Sequence, residues 1–454
     1  MPATIPQKPR AARSLWTPRF REALKPRDRI SVSQWAARNR HLGPESPEPG
    51  LWQNWRRPFL QGPMDAFSDP DVRVIVNVFA NQMGKTEVLN NCIGYAVDQE
   101  PGTTLLCFPS EHTADKHVRS RLRPMIRLSP ALTRHVSGSL SDDLSLKTLH
   151  FDTCDVFTAW ANSSDAMSST PCRYVFGDEL DSYPVYMGGQ HGSPVEQLEV
   201  RVRAYQDSGK QTYVGTPTTE TAYMWPLFQQ TNRQHYWVPC AHCGKYQDLV
   251  WDQVKWPKKK LASEIYEQRL AWYECSHCKG EISDAQKLKM LPRGVWAPKD
   301  CEVDDSGGIV GERPPKIQSG FHLNVLYSPT ISFGQVAAKW LSCVGDRGAL
   351  HNFLNLYLAL PFKEEVETVS EKRILAAKRP YRRGTIPAAA RLVTCGVDVQ
   401  LNHFWFAARA WGSQEKSWLV DAGRLEAWTD VTRLLRSSWP GAGGTARGID
   451  LMLV

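Results

Sequence analysis

The sequence of 454 residues has no apolar run long enough to cross a bilayer, for which about 18 residues are needed, so no membrane span is expected. Its N-terminal stretch is basic, contains Pro, and lacks the apolar core of a secretory signal; residues 1–30 read as a flexible basic arm. A disulfide framework is disfavoured as well. The 11 Cys are an odd number, and seven of them (Cys92, Cys107, Cys154, Cys172, Cys301, Cys343, Cys395) are scattered among apolar neighbours. That usage fits a reducing compartment with one metal site. The other four Cys form two tight pairs. Hydrophobic residues make up 42% and charged residues 22%, a globular balance sufficient for two or three domains. The net charge of +8 leans mildly towards an anionic partner.

What is present begins with Val72–Glu87, VRVIVNVFANQMGKTE. An apolar strand breaks into a short loop and closes on Gly84-Lys85-Thr86 at the mouth of a helix. Backbone N–H groups there face an anion, Lys85 reaches β- and γ-phosphates, and the Thr86 hydroxyl holds Mg²⁺. The candidate nucleotide-binding residues are Gln82, Met83, Gly84, Lys85, Thr86 and Glu87. The full pattern asks for Gly at the position held by Phe79, and a plain helix start with an exposed Lys remains the alternative. Just upstream, Gln53, Trp55 and Phe59 could hold an adenine by amide hydrogen bonds and stacking, or the aromatics could simply pack on the domain. The strand Arg173–Asp181 then delivers Asp178 and Glu179 at its end, 93 residues after Lys85. Asp178 is placed to hold Mg²⁺, and Glu179 to deprotonate an attacking water. Gln211–Thr219 ends in a small polar turn containing Gly215, Thr216 and Thr218, which could sense the γ-phosphate. The helix Glu111–Ile126 carries Arg119, Arg121 and Arg123, either a solvated face or a source of charge for a phosphate.

Cys240-x-x-Cys243 and Cys275-x-x-Cys278 are separated by 31 residues, and Gly244 and Gly280 follow within two positions. Four thiolates suit a closed tetrahedral Zn²⁺ site, with His242 and His277 left out of it. After this region only one short helical stretch precedes a strand meander, which argues against a helicase with a second ATPase-like domain. Pro361–Pro387 is charged and irregular, with Arg379, Arg382 and Arg383, and reads as a linker. Arg391–Gln400 (RLVTCGVDVQ) is a strand carrying Asp398, expected to be buried, and Phe404–Trp411 and Ser417–Asp421 follow it. An RNase H-like nuclease, in which carboxylates gather two metal ions, starts this way. The sequence stops on the apolar Gly448–Val454, which reads as a cut through a longer domain, with Asp450 a candidate second acid.

The loop FANQMGKTE, the strand end YVFGDELD, the turn GTPTT, the paired C-x-x-C knuckles and GVDVQ resemble, in order and spacing, the large terminase subunit of tailed bacteriophages, in its lambda-like branch. The resemblance runs from about Leu24 to Val454. It implies an α/β chain: a P-loop (ASCE/RecA-like) ATPase core with an inserted zinc ribbon, then the start of an RNase H-like nuclease domain. On this plan the ATPase domain spans 31–235, the zinc ribbon 236–300, the ATPase remainder and linker 301–387, and the incomplete nuclease 388–454. The family implies a motor that uses ATP to move double-stranded DNA into a capsid, and a metal-dependent endonuclease that cuts concatemers. By position, Lys85, Asp178 and Glu179 carry hydrolysis, Thr216–Thr218 couple it to movement, and Asp398 is the first nuclease metal ligand. The implied cofactors are ATP, Mg²⁺ and structural Zn²⁺. The implied partners are DNA, a small terminase subunit, a portal protein and further copies in a ring, in the host cytoplasm.

Overall fold

In the computed structural model the described residues are 29–44, 46–136, 138, 144–163, 166–167, 170–185, 192–363, 375–376, 378, 380–400, 402–413, 416–441 and 444–454. The basic arm expected over 1–30, all but its last two residues, lies outside them, and so do Arg379 and most of the linker before it. Among the described residues no helix is long and apolar enough to cross a membrane. Contacts divide the chain into two units, 1–364 and 365–454.

The first unit is built on a ten-stranded sheet. Its strands are β1 (Val74–Phe79), β2 (Thr104–Phe108), β3 (Thr148–His150), β4 (Asp155–Trp160), β5 (Tyr174–Asp178), β6 (Lys210–Gly215), β7 (Gln234–Pro239), β8 (Tyr246–Asp248), β9 (Val295–Pro298) and β10 (Gln318–Leu323). The order is β8-β7-β10-β1-β6-β5-β2-β4-β3, with β9 also on β7. From β7 to β4 the path is parallel, and β3, β8 and β9 attach antiparallel. Central parallel strands are covered on both faces and so read as continuous apolar runs. In β1, Ile75, Val76, Val78 and Phe79 are fully buried, each worth about 1.5–3 kcal/mol of transfer free energy.

Helix α1 (Val32–Asn39) starts in a capping box on Ser31, and α2 (Lys85–Asp98) follows β1. Trp35 of α1 donates from Nε1 to Asp98 at the end of α2, 2.8 Å, so the two helices are tied through a buried carboxylate. Helix α3 (Glu111–His117) continues through a π turn, Val118–Leu122, into Arg123–Leu128. Further on, α4 (Phe333–Leu341) and α5 (Arg347–Leu356) close the unit.

Strand β7 runs straight into Cys240, and β9 returns to it, so the cysteine region leaves and rejoins one edge of the large sheet. Trp251 and Trp256, which precede the basic run Lys258–Lys260, stack on one another at 5.8 Å. Trp251 also meets Trp340 and Phe353, so these rings face the core and not a partner.

The second unit holds a four-stranded sheet of β11 (Leu392–Val399), β12 (Phe404–Trp411), β13 (Ser417–Leu425) and β14 (Leu451–Leu453), in the order β13-β12-β11-β14. The first three form an antiparallel meander, and β14 lies parallel to β11. Helix α6 (Trp428–Leu435) supplies Val431 and Leu434 to a core with Val393, Cys395, Val397 and Phe404. Part of the expected linker folds here: Gly384 and Ile386 donate backbone bonds to Val420 and Pro440.

Candidate functional site

In parallel α/β sheets, ligands sit beyond the carboxyl ends of the strands. Register places Val78 of β1 beside Gly215 of β6, and Asp178 of β5 beside Val214. Three sequence signals, from Phe79, Gly215 and Asp178 onward, therefore emerge at one edge, with β6 between the other two strands. There the first and last of them border a cavity of about 560 Å³.

The phosphate loop forms because two of its residues are left-handed, Gln82 at φ 61° and Gly84 at φ 98°. A Cβ on Gly84 would also meet Leu60 at 2.8 Å, so this position requires glycine for two reasons. Helix α2 starts at Lys85, and the helix N-terminus faces the cavity. Lys85 is buried, with 6% of its side chain exposed. Its ammonium lies 2.8 Å from Glu179 Oε1 and donates to Thr216 Oγ1 at 2.5 Å. Thr216 in turn donates to the carbonyl of Phe79, 3.0 Å. Phe79, at the position where Gly was wanted, ends β1 with its ring fully buried.

Glu179 takes a left-handed backbone, φ 52°, a strained conformation that turns its carboxylate out of the strand and over the loop. Asp178 stays buried, and its Oδ1 has no hydrogen-bond partner. Burial pushes its carboxyl up to about 7; Glu179 adds to the rise and Lys85 opposes it. An orphaned carboxylate oxygen on a cavity that Thr86 also lines suits a hydrated Mg²⁺, and a cation there would restore the charged form.

Gln82, Gly84, Lys85, Thr86, Glu87, Asp178 and Glu179 all line the cavity, as does Gln53. Two of the aromatic candidates do not. Phe59 is fully buried, edge-on to Tyr236 at 6.2 Å, with its carbonyl taken by Trp296, so it cannot stack on a base. Trp55 is 67% exposed and points away. Met83 turns its side chain into the core, leaving only backbone to offer a ligand. The arginines that follow α3 divide. Arg121 lines the cavity, Arg123 donates to the carbonyl of Leu144, and Arg119 is exposed elsewhere. Arg56, Arg57 and His117 line the cavity unforeseen. The two arginines adjoin Gln53 in sequence, and that adjacency was the available signal. Burial, then the charge of Arg121, lowers His117 to about 3, so its ring is a neutral wall bonded to Asn90 at 3.0 Å.

The four knuckle thiols lie within 4.8 Å of one another, and Cys240–Cys278 and Cys243–Cys275 are 3.9 and 4.0 Å apart. A tetrahedral Zn–S₄ centre needs sulfurs roughly 3.8 Å apart, so the cluster fits that metal. The two knuckles repeat one hydrogen-bond pattern: Gly244 N–H donates to the Cys240 carbonyl, and Lys279 N–H to that of Cys275. The left-handed residue is Gly244 in the first and Lys279 in the second. Gly280 is needed for another reason, the ring of His242 packed against it. His242 and His277 bond to backbone carbonyls across the pair and are not ligands.

In the second unit Asp398 is exposed, contrary to the burial expected, and accepts from Gln400 Nε2 at 2.6 Å. Alternation explains this: Val393, Cys395 and Val397 face the core and the residues between them do not. Asp450 does not join it. Its carboxylate accepts from Val393 N–H at 2.7 Å, five residues back along β11, which is about 17 Å. The shallow depression at Asp398 has no second carboxylate among its described lining residues.

Sequence models of two related domains match this chain. "Phage terminase large subunit gpA, ATPase domain" covers residues 46–296, and "Terminase large subunit gpA, endonuclease domain" covers 318–454. The chain belongs to the gpA family of phage terminase large subunits. It is 25% identical to the terminase large subunit of Enterobacteria phage P21 over 417 residues, which is 86% of this chain and 62% of that protein. To that of Escherichia phage lambda it is 24% identical over 424 residues, 88% of this chain and 63% of that protein. The terminase chain thus spans less than two thirds of the length of these relatives. The large terminase of HK97 bacteriophage aligns with 87% of this chain and 67% of its own at 11% identity, with a TM-score of 0.40. The endonuclease match begins on β10, a strand placed between β7 and β1 of the large sheet, so part of that match belongs to the first unit.

Proposed function

We propose that this chain is the ATP-hydrolysing part of a viral DNA-packaging motor, and that it carries the opening strands of the associated nuclease. The observation that carries this reading is the buried Lys85 held between Glu179 and Thr216 at the mouth of one cavity. ATP would place its phosphates on the loop of Gln82–Glu87 and the N-terminus of α2. Lys85 would then exchange Glu179 for phosphate oxygens. Thr86 and Asp178 would hold Mg²⁺, which offsets phosphate charge. Glu179, released from Lys85, is free to orient a water for in-line attack and take its proton. Besides Lys85, the cavity is bordered by Arg56, Arg57, Lys116 and Arg121, of which the arginines could meet charge developing on the γ-phosphate. Gln53 is the remaining candidate for the base, although its Oε1 now accepts from Arg56 at 2.9 Å.

The sheet with β6 between the Lys85 and Asp178 strands supports an ASCE-type ATPase core, and the four clustered thiols support a zinc ribbon inserted at its edge. The meander with β14 returning parallel to β11 supports an RNase H-like start. Asp398 is proposed as its first metal ligand, but one exposed carboxylate does not make a metal centre, and no cleavage step is derived from it. Double-stranded DNA, a small terminase subunit, a portal protein and further copies in a ring are proposed as partners, in the host cytoplasm, with family membership as the support. ATPase turnover measured with and without linear duplex DNA tests the reading. Mg²⁺-dependent turnover stimulated by DNA is expected; no turnover in either condition sinks it.

A further inference from the structure

The geometry points to Asn355 as a positioning residue that passes the nucleotide state of the phosphate loop to the chain leaving the first unit, an inference that rests on the ATP reading above. Asn355, near the end of α5, is buried, and its side chain touches no part of the cavity. Its Nδ2 donates to the carbonyls of Pro217 at 2.6 Å, Thr218 at 2.9 Å and Leu360 at 2.8 Å. An amide nitrogen has two hydrogens, so three acceptors cannot all be fully served. Two of the three belong to the Thr216–Thr218 turn, and the third to the segment just after α5. A small shift of the turn therefore changes which carbonyl Asn355 serves.

Three further bonds make this a junction. Asn81 of the phosphate loop donates its N–H to the carbonyl of Leu356, 2.9 Å. Thr216 Oγ1 also lies 3.2 Å from Asn81 Oδ1, and the same hydroxyl receives Lys85. Phe362 N–H donates to the carbonyl of Thr218 at 2.9 Å, and Thr219 bridges Phe362 in parallel. Residues 355–362 are thus bonded both to the loop that would hold phosphate and to the turn that watches Lys85. The unit ends two residues later. When Lys85 leaves Thr216 for a phosphate, the turn loses one anchor and the Asn355 amide redistributes towards Leu360. A merely structural Asn355 would brace the end of α5 equally in every nucleotide state.

Hydrogen exchange on the full chain separates these roles, read with Mg²⁺ plus ADP and with Mg²⁺ plus a non-hydrolysable ATP analogue. In the unaltered chain, amides in 81–87 and in 359–363 are both expected to differ between the two states, the second by roughly five-fold or more, the lower range of site-to-site coupling. In Asn355→Ala the difference at 81–87 persists, the difference at 359–363 is lost, and KM for ATP stays within about two-fold while kcat falls. A response at 81–87 with none at 359–363 in the unaltered chain overturns the inference and leaves the ATP site standing. So does an Asn355→Ala chain that keeps both responses. No response at 81–87 overturns the ATP reading, and this inference with it. Because the unaltered chain is read first, the test does not depend on the variant folding.

Discussion

Lys85 is the residue on which the site turns, because its charge is already spoken for. Buried ammonium groups need a partner, and here Glu179 and Thr216 supply it. The same contact keeps Glu179 from acting as a base. Replacing Glu179 with Gln keeps the shape and removes the basicity, so kcat should fall by about 10²–10⁴-fold while nucleotide still binds. Lys85→Ala should lose both binding and turnover. Fluorescent-nucleotide titration beside steady-state ATPase distinguishes the two, and normal turnover by either variant contradicts the assignment. The arginines that follow α3 give a sharper test, since they lie within five residues of each other and face different surroundings. Arg121→Ala should lower kcat with little change in melting temperature. Arg123→Ala should leave kcat near normal and cost about 1–3 kcal/mol of stability, because the Leu144 carbonyl loses a charged donor. Thermal melts and kinetics on the pair would show the opposite split if the roles were reversed.

Elements differ in how plainly the sequence announces them. The phosphate-loop strand and the Asp178 strand were readable because parallel strands buried on both faces leave apolar runs that end in unusual polar residues. The cysteine knuckles were readable because metal geometry fixes their spacing. Phe59 takes the packing alternative: its neighbours Gln53 and Arg57 face the cavity while its own ring is buried, a difference that composition over so short a stretch does not encode. Asn355 left no signal, since two of its three acceptors lie 137 and 138 residues away. The knuckles predict their own dependence on metal. Four thiols brought together without a cation gain little, so chelation by EDTA should release one Zn²⁺ per chain and raise proteolysis between 240 and 282 while the large sheet stays folded. A second element-level test lies where α1 meets α2. Burial alone would raise the Asp98 carboxyl, but hydrogen bonds from Gln99, Trp35, His135 and Arg134 outweigh it and hold it below its ordinary value of 3.8. A depressed carboxylate stabilises the fold above pH 3.8, and that contribution is lost as pH falls through the folded value. Asp98→Asn should therefore lower stability by about 1.5–3 kcal/mol at pH 7, and the gap from the unaltered chain should close below about pH 4. A gap that stays constant with pH would mean that the charge plays no part.

At the scale of the whole molecule, the two units differ in what they bring together. The first gathers, at or beside one cavity, the groups that the proposed ATP hydrolysis would use: a loop of N–H donors, a buried cation, a carboxylate with an unpaired oxygen, and a second carboxylate bonded to that cation. In the second, the described lining of the depression at Asp398 holds no other carboxylate side chain. Composition and strand pattern told the two apart, since the interval between them lacks the strand-helix repeat of a second ATPase-like domain. They did not tell which face Asp398 would take, because β11 alternates and one buried position and one exposed position look alike until the core is known. Two-metal cleavage of a phosphodiester needs carboxylates gathered around a pair of ions about 4 Å apart. Asp398 stands alone on an exposed face, and Asp450 is engaged about 17 Å away with the backbone of Val393. The chain as given should therefore hydrolyse ATP and leave supercoiled plasmid intact with Mg²⁺ or Mn²⁺, at protein concentrations where its ATPase is saturated. Nicking above background that disappears in Asp398→Ala would show that this carboxylate recruits metal without a second one from the described residues.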